Sequence, residues 1–330
     1  MSDKPQVSEV DDVPAPVKRS CGARFVAHYK KWWWVHLIVF VAVFLIIALP
    51  VVYVGYPHIA QSDVNKSTLN VTSMVVTNPT PESFHIDQVQ VIGSHVAYHP
   101  QLYAFNASIS LAGAASFASA LIPAVKAING ATVTVNQELD VTSLSAFTDF
   151  TTAFLLNEEV GLNIYGKPHL KLGGLPEITV TYNKTATMKG LNKFKGFTLT
   201  DYSLVAPANS NGTNFKGTAI IPNASPATFS FGNVTLQLAA NGTHIGESYL
   251  QDLVVKPGNN SVFMTSTVNE TIVVDLMFGT DAPYPDGIVP IVITADAANA
   301  SVYDGKVLSY YSHALAENTM NIKLNLSSLF

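Results

Sequence analysis

The stretch Trp32–Tyr56 is apolar along its length and carries no Asp, Glu, Lys or Arg. Read as a helix from Val35 to Tyr56, it would be about 33 Å long at about 1.5 Å per residue. A hydrocarbon core is roughly 30 Å thick, so the stretch matches a membrane span. Trp32, Trp33 and Trp34 stand at one edge and Tyr53 and Tyr56 at the other, where amphipathic rings settle at bilayer interfaces. A buried core helix is the competing reading, and it fits poorly, because such helices are rarely apolar all round for this length.

Flanking charge gives the span a direction. Lys18, Arg19, Arg24, Lys30 and Lys31 precede it, whereas His58, Asp63 and Lys66 are the only such residues just after it. Positive charge stays on the cytoplasmic side, so the N-terminus is expected in the cytosol and the remainder in a lumen or outside the cell. Residues 1–31 hold six Lys and Arg against four Asp and Glu, a net of +2; with −5 for the whole chain, residues 32–330 carry −7. A cleaved signal peptide would have an apolar region of about 7–15 residues near the start. Here the run is longer and begins later, which makes an uncleaved signal-anchor the better reading.

Residues 1–31 contain Pro5, Pro14 and Pro16 among mixed charges and are expected to be disordered. Cys21 is the sole cysteine. Beside basic residues before a span, it reads either as a site of reversible palmitoylation or as a bystander thiol. The lumenal part therefore has no disulfide, and its stability must come from an ordinary core.

Twelve Asn-x-Ser/Thr triplets follow the span, at Asn65, Asn70, Asn106, Asn183, Asn211, Asn223, Asn233, Asn241, Asn259, Asn269, Asn299 and Asn325. Residues 57–330 contain 23 Asn. At the Ser and Thr content of that region, chance gives about four triplets. The excess fits a glycosylated, lumen-facing domain with N-glycans at these positions. Pro226 follows the Asn223 triplet directly and is expected to weaken acceptance there.

Beyond Pro57 the pattern is short apolar/polar alternation broken by Gly, Pro and Asn, the signature of half-buried antiparallel strands. Leu69/Val71/Ser73, Val133/Val135, Val160/Leu162/Ile164, Ile178/Val180/Tyr182 and Phe197/Leu199 are such sets. Two stretches read as helical. One is Ala-rich Ala112–Ile128, interrupted by Pro123. The other is Ser145–Leu156, where Phe147, Phe150, Phe154 and Leu155 make an apolar face that Ser143 or Ser145 could cap.

The chain also repeats itself. Asn78–Val91 aligns without gaps on Asn223–Leu236, matching Pro81 to Pro226, Phe84 to Phe229, Ile86 to Phe231 and Val89 to Val234. Both copies slip by one residue in their apolar alternation, so each strand is expected to contain a bulge or a break. Thr134-Val-Asn-Gln and Thr267-Val-Asn-Glu form a weaker echo. This gives four segments: a tail at 1–31, a span at 32–56, and tandem β-sandwich domains at 57–195 and 196–330, with the boundary near Leu191–Tyr202.

The run Asn78-Pro79-Thr80-Pro81 through Phe84 resembles the leading strand of late-embryogenesis-abundant group 2 (WHy) domains. Residues 57–330 as a whole resemble an uncharacterised fungal membrane-protein family catalogued as a domain of unknown function. The matching stretches include Leu121-Ile-Pro-Ala, Phe147-Thr-Asp-Phe, Leu156-Asn-Glu-Glu, Gly173-Gly-Leu-Pro, Leu253-Val-Val-Lys-Pro-Gly-Asn-Asn and Tyr303-Asp-Gly-Lys. The resemblance implies a mainly β fold of tandem immunoglobulin-like (LEA2/WHy-like) sandwiches after one N-terminal transmembrane helix. It further implies similarity to single-span proteins of vacuoles and lysosomes, for which lipid binding or transfer has been proposed. It supplies no catalytic residues.

Residues that could carry chemistry are sparse. His95 and His99 have metal-pair spacing but sit among strand-like residues with no third ligand nearby in sequence. Glu158/Glu159 and Asp140/Asp149 could be imagined as glycosidase carboxylates, which stand about 5–10 Å apart; a solvated helix end explains the former better. Gly246-Glu-Ser248-Tyr-Leu250 lacks the second glycine of a nucleophile elbow. No phosphate-binding glycine loop and no metalloprotease motif occur, so neither a catalytic residue nor a cofactor or metal site is assigned. The acidic lumenal part argues against nucleic acid as a partner. Phe84, Ile86, Phe229 and Phe231 could line an apolar groove, or simply fill the sandwich core.

The expectation is a non-enzymatic, glycosylated, single-pass protein of an endomembrane, the vacuolar membrane foremost. Its partners would be the bilayer and either lipid or a lumenal protein or glycan. A cell-surface or wall-associated adhesion module is the alternative, and a hydrolase with a site assembled across strands is the third.

Overall fold

The computed structural model describes residues 21–94, 98–327 and 329, leaving out the side chains of 21–25 and 27. Helix α1 runs Cys21–Pro50, continues through a π-helical turn at Val51–Gly55, and passes into helix α2, Tyr56–Lys66. Pro50 lacks the N–H that an α-ladder needs, and the backbone widens there, with Tyr56 N–H reaching back to the Val51 carbonyl. The helix thus starts eleven residues before Trp32, which corrects the expectation of disorder for 21–31. Ala, Lys and Arg extend a helix cheaply once the apolar stretch has nucleated it. The rest of the tail, 1–20, lies outside the described residues. One helix, within His28–Lys66, is long and apolar enough to cross a membrane, and its most apolar window has no residue buried against protein.

Residues 57–330 are mainly β and form one compact unit. Seven main strands make up its first half: β1 (Thr68–Thr77), β2 (Ser83–Gly93), β3 (Phe105–Leu111), β4 (Ser116–Ile122), β5 (Ala131–Asp140), β6 (Glu159–Gly166) and β7 (Tyr182–Lys189). Helix α3 (Leu144–Leu156) lies between β5 and β6, and Ser143 caps it by accepting from the Ala146 N–H. Strands β1-β2-β5 form one layer and β7-β6-β3-β4 the facing layer. Short strands at Gln101–Leu102, Val125–Lys126, His169–Lys171 and Ile178–Thr179 make a small side sheet.

The second half repeats this plan strand for strand: β8 (Thr198–Leu204), β9 (Phe215–Asn223), β10 (Ala227–Ala240), β11 (Thr243–Val255), β12 (Gly258–Val268), α4 (Glu270–Phe278), β13 (Ile288–Ala295) and β14 (Met320–Asn325). Helix α5 (Ser309–Ala316) is added before β14. Pairings recur in order: β1–β2 as β8–β9, β2–β5 as β9–β12, β3–β4 as β10–β11, β3–β6 as β10–β13, and β6–β7 as β13–β14. Even the register shift recurs, between Val71 and Ser73 in β1 and between Thr200 and Ser203 in β8.

This repeat has a different register from the gapless sequence alignment. That alignment sets β2 on β10, whereas the counterpart of β2 is β9. What the aligned segments share is a turn: the Thr80 hydroxyl accepts from the N–H of Glu82 and Ser83, and the Ser225 hydroxyl from the N–H of Ala227. The expected bulge is present in β10 around Gly232 but absent from β2, which pairs without interruption with β5 from Ser83↔Asp140 to Ile92↔Ala131. Strict alternation then turns Gln88 and Gln90 into the core and leaves Val89 and Val91 half-exposed. Gln90 Nε2 donates to Gln88 Oε1 at 2.7 Å, and Gln88 Nε2 in turn points to the Met74 sulfur at 4.0 Å.

Ala112–Ile128 is not a helix. It forms the end of a turn and then β4, where Phe117, Ala118, Ala120 and Ile122 are buried. Ala has high helix propensity, but pairing with β3 at the edge of the four-stranded sheet and burial of its side chains override it. The expected strand through Ile178, Val180 and Tyr182 breaks at Thr181, whose N–H and carbonyl both bond the Gln61 side chain of α2. The halves are joined where β1 runs parallel to β10, Met74↔Ala227 to Val76↔Phe229. They also meet where the Thr151 hydroxyl of α3 donates to the Tyr310 carbonyl of α5 at 3.1 Å.

Candidate functional site

The four aromatic and aliphatic residues singled out from the sequence are core. Phe84, Ile86, Phe229 and Phe231 are 2–4% exposed. Phe84 stacks on Phe147 at 4.9 Å, Phe229 meets Phe154 at 4.7 Å, and Phe231 meets Tyr311 at 4.7 Å. Among the described residues, the spaces left beside them are only about 20 Å³ and about 10 Å³, and aromatic residues of α3 and α5 pack against them. The Tyr310 hydroxyl donates to the Thr80 carbonyl at 2.9 Å, while the fully buried Tyr311 hydroxyl finds no partner among the described residues. Burial pushes both phenols well above their usual range, and Tyr310 adds to the rise at Tyr311.

Other sequence candidates are scattered. Asp140, Asp149, Glu158 and Glu159 are exposed, so they do not converge on a cleft. His99 is exposed, and His95 lies outside the described residues. Among the described residues no group of three His, Cys, Asp or Glu is placed to hold a metal. Cys21 opens α1, but its side chain lies outside what is described. Ser248 is buried and shares a hydrogen bond with Ser266 at 2.8 Å, which occupies it structurally.

Sequon asparagines behave uniformly except for one. Asn65, Asn70, Asn106, Asn183, Asn211, Asn233, Asn241, Asn259, Asn269, Asn299 and Asn325 are exposed. Asn223 is 3% exposed, its Nδ2 donates to the Ala227 carbonyl at 2.8 Å, and its Oδ1 accepts from Ser225 N–H and Oγ. The nitrogen that would carry a glycan is thus committed inside the fold.

What sequence reading missed is an apolar hollow in the second half. The sheet β8-β9-β12-β11-β10-β13-β14 curls around it, and Leu236, Leu238, Ile245, Met264, Ile291 and Ile293 supply much of its wall. The space inside is about 50 Å³. Among the described residues Ser248 is the only lining residue with a polar side chain, and it is already bonded. Such a space excludes water, which needs two to four polar partners, and favours hydrocarbon. Gly246 permits the seam beside it: at φ +151°, with the Thr267 carbonyl of β12 pressed against its Cα, a Cβ would collide with backbone. No local signal could have revealed the hollow, because its wall comes from strands spread over more than a hundred residues.

A second cavity of about 50 Å³ lies beside α2 in the first half, among Ala60, Val64, Ile92, Leu102, Leu170 and Tyr182. It is more polar, with Asp63 accepting from the Tyr98 hydroxyl at its edge. Burial raises the Tyr182 phenol to about 12. Nearby, the Lys184 ammonium donates to the carbonyls of Asn65 and Ser67 at the end of α2, and burial lowers its pKa.

Residues 115–238 match the model of an uncharacterised domain family described as "Protein of unknown function (DUF3712)". No curated protein matches the chain. Among solved structures, CBD12 from CALX1.2 is similar at 10% identity over 69% of this chain and 80% of that chain, with a TM-score of 0.20. A bacterial adhesin from Mobiluncus mulieris is similar at 10% identity over the same shares, TM-score 0.19. The partial N-terminal region of an enterococcal surface protein is similar at 8% identity over 78% and 93%, TM-score 0.17. At these values nothing transfers from those proteins to this chain.

Proposed function

We propose that this is a non-enzymatic, single-pass membrane protein whose paired β-sandwich halves lie on the lumenal side and bind lipid by its hydrocarbon chain. The observation that carries the reading is the hollow in the second half, whose wall offers hydrocarbon and no free polar group. Charge asymmetry about the span supports a cytosolic N-terminus. Exposure of eleven of the twelve sequon asparagines, all but Asn223, supports glycosylation of the lumenal part. Three strands facing four suit an immunoglobulin-like sandwich of the LEA2/WHy kind. The vacuolar membrane as its location, and fungi as its source, rest on the resemblance of the sequence alone.

Two measurements test this. Full-length protein purified into lipid nanodiscs should carry lipid beyond that in empty discs, read by mass spectrometry; equal lipid content would overturn the binding reading. A fluorescent fusion should mark the vacuolar membrane. A cell-surface signal would instead favour adhesion, the second reading, which has its own support: Phe263 of β12 is 64% exposed beside Thr218 on a polar sheet face, a ring available to a glycan or protein.

A further inference from the structure

Between β7 and β8 the chain makes an unusual turn. Asn192, Lys193 and Phe194 follow one another with φ of 48°, 57° and 54°, the left-handed region, at residues that are not glycine. The turn and the stretch Thr319–Ile322 line an open hollow of about 260 Å³, larger than the apolar one. Lys193 and Lys195 stand at it, exposed, and among the described residues neither lies within 4.0 Å of a carboxylate. No lysine among the described residues forms an ion pair; what sets Lys193 and Lys195 apart is that both line one hollow, with no acidic residue in its lining.

The two hollows share a wall. Phe197, just before β8, and Ile322 of β14 line both the basic hollow and the apolar one behind it. We infer that together they form one site for a single-chain amphiphile with an anionic head group: Lys193 and Lys195 hold the head, and the chain passes Phe197 and Ile322 into the apolar hollow. This rests on the lipid reading above and adds to it the head-group charge and the way in. A carboxylate or phosphate beside two ammonium groups gains charge-assisted hydrogen bonds, and an alkyl chain gains removal from water.

The apolar hollow must widen to take a chain, since about 50 Å³ is well short of the roughly 150 Å³ that accepts benzene. Strand β8 is the wall built to move. It is an edge strand whose ladder to β9 is interrupted between Thr200 and Ser203. Its apolar residues Leu199 and Leu204 are half-exposed. Across the gap to β14 a hydrogen bond from the Tyr202 hydroxyl to the Asn325 carbonyl, 3.0 Å long, bridges the opening. Few buried contacts and a broken ladder mark the segment that opens most easily.

The test uses full-length protein in nanodiscs and three probes carrying a terminal diazirine: palmitate, lysophosphatidate and palmityl alcohol. After irradiation, peptide mass spectrometry should find either anionic probe on strands β10 and β13, and the one that labels more identifies the head group. Labelling should fall at least fivefold in the Lys193→Gln/Lys195→Gln variant and stay unchanged in Lys216→Gln. The alcohol should label weakly and be indifferent to all three lysines. Tyr202→Phe should raise labelling about twofold by releasing β8. If all probes label the hollow equally and the charge variant changes nothing, the head-group inference falls while the chain-binding reading survives. If labels appear only in the span, both fall. Thermal midpoints of the variants, matched to the parent protein, separate lost binding from lost folding.

Discussion

The two halves of the β unit share a strand plan and differ in what fills it. In the first, α3 spans thirteen residues and drives Phe147, Phe150 and Phe154 into the interior, where Phe117 and Phe84 meet them. In the second, α4 spans nine residues and buries Val273, Leu276 and Met277. The seams differ as well. Between β4 and β5 the first half has no ladder, and the Gln137 amide bonds both backbone groups of Leu121 in its place. Its counterpart in the second half, β11–β12, is a backbone ladder from Gly246↔Val268 to Leu250↔Met264. Conversely, β1 and β7 are tied through α2 by Gln61 and Lys184, whereas β8 and β14 are bridged by Tyr202 alone among the described side chains. In the first half α3 plugs the interior and α2 clasps the edge, its cavity lying to the side against α2; the second half keeps its hollow inside the curled sheet and has a loose edge. A duplicated plan thus separates a clasped support from an openable container, and the difference lies in one helix and two pairs of edges.

The comparison can be broken most decisively at α3. Phe147→Ala should cost about 3–5 kcal/mol, read as the midpoint of chemical denaturation, because it empties a site that cannot collapse. Val273→Ala in α4 should cost less than about 2 kcal/mol; equal costs would erase the distinction. Next in size is the glutamine pair. Gln90→Leu removes the donor to buried Gln88 and should cost about 1–3 kcal/mol, and changing both to Leu should recover most of that. Adding volume should run the other way round. Ala120→Leu in the plugged half should cost about 1–3 kcal/mol, whereas Val273→Leu, facing existing space, should stay within about 1 kcal/mol.

The phenols sharpen the contrast by pH. A phenol whose pKa is raised by folding contributes stability that is complete below its unfolded value near 10 and is lost as pH rises through the folded value. For Tyr182 of the first half that window runs from 10.0 to about 12. Tyrosinate absorbance should show this step, absent in Tyr182→Phe, with Tyr310 and Tyr311 following at higher pH. The smallest expected change is in glycan mass: Asn233→Gln should lose one glycan and Asn223→Gln none.

How much of this could be read in the chain depends on how locally each feature is encoded. The span needs only its own residues, and α3 announces itself by phenylalanine spacing and Ser143. That the β part repeats was legible from two echoes. Its register was not, because the stronger echo reports a Thr/Ser turn that recurs at non-equivalent strands. The bulge expected in β2 failed for a related reason: the apolar alternation slips by one residue after Ile86, but the uninterrupted β2–β5 ladder turns Gln88 and Gln90 inward instead. Burial of Phe84 and Phe229 was one of two open readings, and the helices above them decided it. The vestibule depends on Lys193, Lys195 and Ile322 meeting across more than a hundred residues, which no periodicity records.

The buried Asn223 sets a problem of timing. If the chain is threaded into a lumen, this triplet emerges extended, before β11 to β14 exist to enclose it. A sugar attached at that moment could never be removed to the inside of the fold, and the second half would have no way to close. Pro226, which directly follows the triplet, is expected to weaken acceptance there, and would then protect assembly before the fold itself can enclose Asn223.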